Sequence, residues 1–169
     1  KVFTPVGGTL DKIKAIDISE RVKVLETCSV TAMCDVDNPL IGKTGAAYIY
    51  GPQKGADEKM VKRLDNNLKH LAELLKTQLH IDIAQMPGAG AAGGAGAGVV
   101  AFLGGILKPG IETVLDVVKF VSLLETAEMV FTGEGKIDTQ SLRGKVLTGI
   151  AKRAKQKGVP VISVVGDIG

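Results

Sequence analysis

Two pairs of carboxylates follow stretches that pattern as β-strands. Asp35 and Asp37 come after residues 26–34 (ETCSVTAMC), and Glu134 and Asp138 come after residues 127–132 (AEMVFT). The first stretch alternates and carries β-branched residues; the second is a short apolar run. Open parallel sheets bind ligands beyond the carboxyl ends of their strands. Carboxylates placed there among glycines suit a metal-held phosphate, because Mg²⁺ takes oxygen ligands and is usually bound through one or two carboxylates plus the phosphates themselves. A carboxylate beside an attacking hydroxyl can also take its proton. On this reading Asp35 and Asp138 are the catalytic candidates, Asp35 and Asp37 the metal ligands, and Asn38, Gly133 and Glu134 the positioning groups. The competing structural reading is an Asx turn at residues 35–39 and a glycine turn with solvated acids at residues 133–138.

A second candidate is the run PGAGAAGGAGAG at residues 87–98, in which no side chain is larger than proline. Glycine within a helix costs roughly 1 kcal/mol relative to alanine, so the run needs a compensating use. Bare N–H groups of Gly88, Gly90 and Gly93 could cradle an anion where the run opens a helix. Alternatively, the missing side chains could let another segment approach closely. The apolar stretch 99–107 (VVAFLGGIL) predicts a buried helix, with residues 87–93 as the loop that feeds it. The three glycines have GxGxxG spacing, but a dinucleotide site also needs a firm strand before them and an acid ending a second strand. Residues 81–86 are at best a short strand and Glu112 lies in helical spacing, so a nicotinamide cofactor is not favoured. Two lysines could face phosphate: Lys54 in the turn GPQKG, and Lys145 in the first turn of a predicted helix, where the dipole favours acids instead. Gly42-Lys43-Thr44 imitates the end of a Walker A loop, but Asp37 stands where the first glycine belongs.

The elements that must position these groups are readable from spacing. Met60, Leu64, Leu68, Leu71, Leu75 and Leu79 form one apolar stripe and predict a helix over residues 57–79. His70 falls between stripe positions as a surface residue and His80 ends the helix; neither suggests catalysis. Helices are also predicted over 111–120 and 144–157, and a buried strand over 159–165, ending at Gly166-Asp167. Residues 1–25 are a poorly patterned lead-in, and residues 26–169 carry the motifs. The order strand, helices, strand, helix, strand implies a parallel sheet covered by helices. It would set residues 35–38, 133–138 and 166–167 along one sheet edge.

At 169 residues the chain can bury one core as a single α/β segment. A net charge of +3 argues against a dedicated nucleic-acid binder. Aromatic content of 4% without Trp offers no stacking platform for bases. No strongly apolar run reaches the roughly 18 residues of a membrane span. Cys28 and Cys34, on one strand, would lie about 20 Å apart, too far for a disulfide, and read as reduced thiols.

Four segments then stand out together: CDVDNPLIGKTGAAYIYGPQKGA (34–56), PGAGAAGGAGAGVVAFLGG (87–105), VFTGEGKIDTQSLRGKV (130–146) and GVPVISVVG (158–166). In this order they resemble the bacterial type I glycerate kinases, and the first three are long and mostly non-repetitive. The resemblance implies ATP-dependent phosphorylation of glycerate, in this class usually at the 2-hydroxyl, with Mg²⁺, in the cytoplasm. Its implied partners are glycerate and ATP, with no nucleic acid or membrane, and a homodimer is compatible. The expected fold class is α/β, a Rossmann-like parallel sheet flanked by helices within a larger two-domain kinase. Family members carry upstream segments of the types SFKG and GGSATNDGG, which these 169 residues lack. The chain is therefore expected to be an internal portion, incomplete for activity by itself. The alternative is a non-catalytic α/β module that binds an anionic metabolite or nucleotide.

Overall fold

The structure, a computed structural model, describes residues 4–137 and 146–168. The chain divides into two units, Lys1–Leu107 and Lys108–Gly169. In the first, strand β1 (Thr31–Met33) leads to a short helix α1 (Ala46–Tyr50), the long helix α2 (Glu58–Leu79) and helix α3 (Ala95–Leu103), and the chain then enters strand β2 (Ile106–Lys108).

Helix α2 starts where Asp57 accepts the Met60 N–H at 2.7 Å, and it ends where His80 turns left-handed at φ 59°. Its interior holds no Gly or Pro, so nothing interrupts the 22 residues. Val61, Leu68, Ala72 and Leu75 are its buried apolar line, and they join Leu40, Ala46, Ala47, Ala97 and Ala101 in one core. The predicted stripe is therefore turned slightly: Met60 is half exposed, and Val61 and Ala72 take the centre. Leu40, Leu75 and Ile83 are the largest fully buried side chains, each stabilising the unit by about 1.5–3 kcal/mol.

A second line on α2 is polar and holds the lead-in. Arg63 donates to the Gly8 carbonyl at 2.9 Å, Asn67 to the Gly7 carbonyl at 2.7 Å, and the His70 Nε2 bonds the Ile13 carbonyl at 2.8 Å. Gln78 bonds both ways, accepting the Ile16 N–H at 2.9 Å and donating to the Lys14 carbonyl at 3.2 Å. Much of the lead-in is held through its backbone, which leaves no trace in its side-chain pattern, while Leu10 and Ile16 pack against the core. His70 is correspondingly a structural ligand of that segment.

The double glycine 104–105 stops α3 earlier than the apolar run suggested. Gly104 is left-handed at φ 63°, and the Gly105 N–H returns to the Val99 carbonyl at 3.1 Å. The chain then pairs with β1, the Ile106 N–H donating to the Val30 carbonyl at 3.0 Å. Strand β1 is itself shorter than residues 26–34. A turn over Lys23–Glu26 directs the N–H groups of Thr27 and Cys28 to the Val24 carbonyl, which withdraws them from a ladder.

The second unit runs through helices α4 (Gly110–Val117) and α5 (Phe120–Leu123), strand β3 (Val130–Ile137), helix α6 (Val146–Lys157) and strand β4 (Val161–Ile168). β3 and β4 are parallel, from Val130 beside Val161 to Ile137 beside Ile168, with α6 in the connection between them. The fold class is α/β, with parallel strands flanked by helices. Two details differ from the expectation. Among the described residues β1 pairs with β2 and β3 with β4, in two two-stranded sheets where one sheet was expected. And β3 continues to Ile137, so Gly133 and Glu134 lie within a strand, not in a loop beyond it. Helix α4 is tied to α6 by Arg153, which reaches Glu112 at 2.6 Å and Asp116 at 2.7 Å. These bonds hold the Asp116 carboxyl below its ordinary range, with Lys108 contributing.

Asn67→Ala should leave the Gly7 carbonyl without its donor and cost about 1–3 kcal/mol. Hydrogen exchange should then rise in residues 7–16 more than in α2. Unchanged exchange in that segment would mean that the polar line does not hold it.

Candidate active site

The acidic segment after β1 is pinned from three sides through Asn38. Its side-chain amide donates to the Thr44 carbonyl at 2.8 Å. Its side-chain oxygen accepts the Tyr50 hydroxyl at 2.6 Å. Its backbone carbonyl accepts the Gly90 N–H at 3.0 Å. With each end of its amide making one bond, Asn38 serves as the joint of this loop. Cys34 adds a thiol contact to the Val36 carbonyl at 3.2 Å. Asp35 and Asp37 are exposed on the segment so held.

Tyr50 reports the charge of this region. Burial raises its pKa first, and the nearby Cys34 and Asp37 raise it further by disfavouring a phenolate. Beside it, Lys54 closes the turn Pro52–Lys54 and is exposed.

The glycine run is used mainly for close approach. A Cβ on Gly90 would sit on the Pro39 carbonyl oxygen and within 3.0 Å of the Asn38 carbonyl oxygen. A Cβ on Gly88 would come within 3.0 Å of the Cys34 sulfur and 3.3 Å of the Val36 carbonyl oxygen. The Gly93 N–H goes to the Gly90 carbonyl at 3.1 Å, and that of Ala97 to the Ala89 carbonyl at 3.0 Å. The expectation that Gly90 and Gly93 offer N–H groups to an anion is corrected on this point, since both are already donated within the chain. Gly93 differs from Gly90 in its surroundings: nothing lies within 4 Å of its Cβ position. Next to it Ala92 is exposed and left-handed, φ 50° and ψ 38°, a conformation that costs a non-glycine residue about 1–2 kcal/mol.

Asp65 is a site residue that the sequence reading missed. It is 2% exposed and holds the Gly42 N–H at 2.8 Å and the Lys69 ammonium at 2.7 Å. It thereby fixes the loop from Leu40 to Gly45 that carries Thr44, the partner of Asn38. The signal was its place on the buried line of α2, four residues after Val61 and three before Leu68.

In the second unit the glycines again permit contact. A Cβ on Gly133 would come within 2.9 Å of the Val164 carbonyl oxygen, and one on Gly166 within 2.7 Å of the Gly135 carbonyl oxygen. Glu134 accepts the Leu147 N–H at 3.5 Å, so a carboxylate of the chain itself lies at the N-terminal turn of α6. Asp138 and Lys145 lie outside the described residues. Among the described residues no three of His, Cys, Asp and Glu come together as a metal-holding group. The pair Asp35 and Asp37 still fits Mg²⁺, which asks a protein for one or two carboxylates when phosphates supply the rest.

A family profile described as the glycerate kinase family matches residues 1–169. The chain belongs to the glycerate kinase family. A glycerate kinase of Bacillus cereus is 50% identical over 168 residues, covering 99% of this chain and 44% of that protein. A glycerate 2-kinase of Escherichia coli is 49% identical over 162 residues, covering 96% of this chain and 42% of that protein. A crystal structure described as a glycerate kinase 2 of Salmonella typhimurium superposes with a TM-score of 0.85 at 45% identity, covering 95% of this chain and 43% of that one. The chain thus spans less than half the length of these glycerate kinases.

Two outcomes test the site as described. Gly90→Ala in this glycerate kinase segment should lower stability by about 1–3 kcal/mol through overpacking against Pro39, seen as an earlier thermal melt. A variant that melts like the parent would contradict the close contact. Tyr50 holds its proton more tightly folded than unfolded. The stability it contributes is full below about pH 10 and is lost as pH rises through its folded pKa. Tyr50→Phe should flatten the alkaline limb of a stability–pH curve, and an unchanged limb would remove Tyr50 as its cause.

Proposed function

We infer that the protein containing this chain transfers the γ-phosphoryl group of ATP to glycerate in the cytoplasm, at the 2-hydroxyl. The observation that carries the inference is the family match over all 169 residues. The relative named glycerate 2-kinase favours the 2-hydroxyl. The exposed acids on a rigidly held segment add support, since phosphoryl transfer depends on positioning and charge neutralisation more than on covalent chemistry by the enzyme.

In this reading Asp35 and Asp37 are the residues that would hold Mg²⁺. Mg²⁺ supplies neutralisation of phosphate charge when bound. The glycerate hydroxyl oxygen forms a bond to the γ-phosphorus as the bond to the β–γ bridging oxygen breaks. The hydroxyl proton passes to a carboxylate, for which Asp138 in the motif VFTGEGKIDTQSLRGKV is the candidate. Asn38, Tyr50 and Asp65 act behind the acids, fixing the backbone that presents them. Gly93 marks the open side of the glycine run, where phosphates could approach the start of α3. Lys54 and Lys145 are the cations proposed to face phosphate, and Gly133 and Glu134 shape the strand that leads to Asp138.

The test is glycerate-dependent ADP release by the full-length protein, with the product identified by ³¹P NMR. Asp35→Asn and Asp138→Asn should each lower kcat by about 10²-fold or more while the fold persists. ADP release that ignores glycerate, or a parent-like Asp35→Asn enzyme, would overturn the assignment.

A further inference from the structure

The first unit contains a cavity of about 400 Å³ whose leucine-rich wall has no part in the proposed catalysis, although Tyr50, Lys54 and Gly93, which do, also line it. Its walls are aliphatic or aromatic: Leu10, Leu40, Leu64, Leu68, Leu71 and Phe102 are among them. Ordered water would need two to four polar partners, and this wall provides almost none. Tyr50 and Lys54 are the only polar side chains among the described lining residues. The Tyr50 hydroxyl is already donated to Asn38. A glycerate or sugar in this space would leave its hydroxyls unpaired, at a desolvation cost.

From these features we propose that the cavity binds a small amphipathic monoanion, with its apolar body among the leucines and its head group on Lys54. The size suits a ligand pocket, which typically spans about 300–1,000 Å³ and is mostly apolar with a few placed polar groups. Among the described lining residues Lys54 is the single charged group, and it sits exposed in its turn, where a carboxylate head would stay near water. Residues Pro5, Val6 and Gly7 of the lead-in form part of the wall. The segment that α2 clasps through Asn67 therefore also covers the ligand. Gly98 lines the cavity from α3, and nothing lies within 4 Å of its Cβ position.

The experiment is calorimetric titration of the full-length protein with octanoate, butyrate and octanol. Octanoate should bind, and affinity should rise by about fourfold for each methylene added between butyrate and octanoate. Lys54→Met should weaken octanoate by about two- to fivefold and leave octanol unchanged. Gly98→Leu, which fills the space from within a helix, should abolish binding of both while circular dichroism stays parent-like. The proposal is overturned if octanoate does not bind, as when another part of the protein fills the space. It is equally overturned if chain length has no effect, if Lys54→Met binds octanoate as the parent does, or if folded Gly98→Leu still binds it. Because the readout is binding, its outcome is independent of whether glycerate is phosphorylated.

Discussion

The contact on which the first unit depends is that between the backbone of Gly90 and the backbone of Asn38 and Pro39. There is no room between them for even a methyl group. The Gly90 N–H closes the contact with a hydrogen bond to the Asn38 carbonyl, and the Asn38 side chain extends it to Thr44 and Tyr50. One asparagine thus joins the acidic segment after β1, the loop before α1 and the glycine run. Two exposed like charges repel and would favour a loose loop. Here Asn38 fixes the backbone between Asp35 and Pro39 through Thr44, Tyr50 and Gly90, and both acids are exposed on it.

Helix α2 supports that arrangement with different chemistry on different sides. Its apolar line builds the core, Asp65 on the same line reaches Gly42, and the line through Asn67 and His70 holds the lead-in. A buried carboxylate is tolerated because it meets an N–H and an ammonium together. The second unit uses glycine as the first does, with Gly133 and Gly166 bringing β3 and β4 together at positions where side chains would collide with carbonyl oxygens.

Much of this was legible in the sequence, and the parts that were not have physical reasons. Helix α2 announced itself through its stripe, and α6 and β4 through spacing and their glycine boundary. The glycine run was legible as special, but composition could not decide between an N–H cradle and close approach. Only the partner strand of backbone at Asn38 and Pro39 decides it, and that partner lies some fifty residues away in sequence. The same limit explains β1: its pairing with β2 is set by Gly104 and Gly105, which end a helix inside an apolar run that periodicity alone extends to Leu107. The lead-in was illegible because its backbone makes the bonds to α2, and Leu10 and Ile16, which pack on the core, are too far apart to show a period. Asp35 and Asp37 were identified as exposed acids on a strand exit, and they are that. A single sheet was inferred from strand order, whereas among the described residues β1 pairs with β2 and β3 with β4.

The most direct measurement of the central contact is the amide of Gly90 itself, followed by NMR hydrogen exchange with and without added phosphate. The structure requires that this N–H exchange as slowly as the core amides of α2 and keep its chemical shift when phosphate is added. Fast exchange, or a shift that saturates with phosphate, would show that the run presents its N–H groups to an anion and that Asn38 does not hold it.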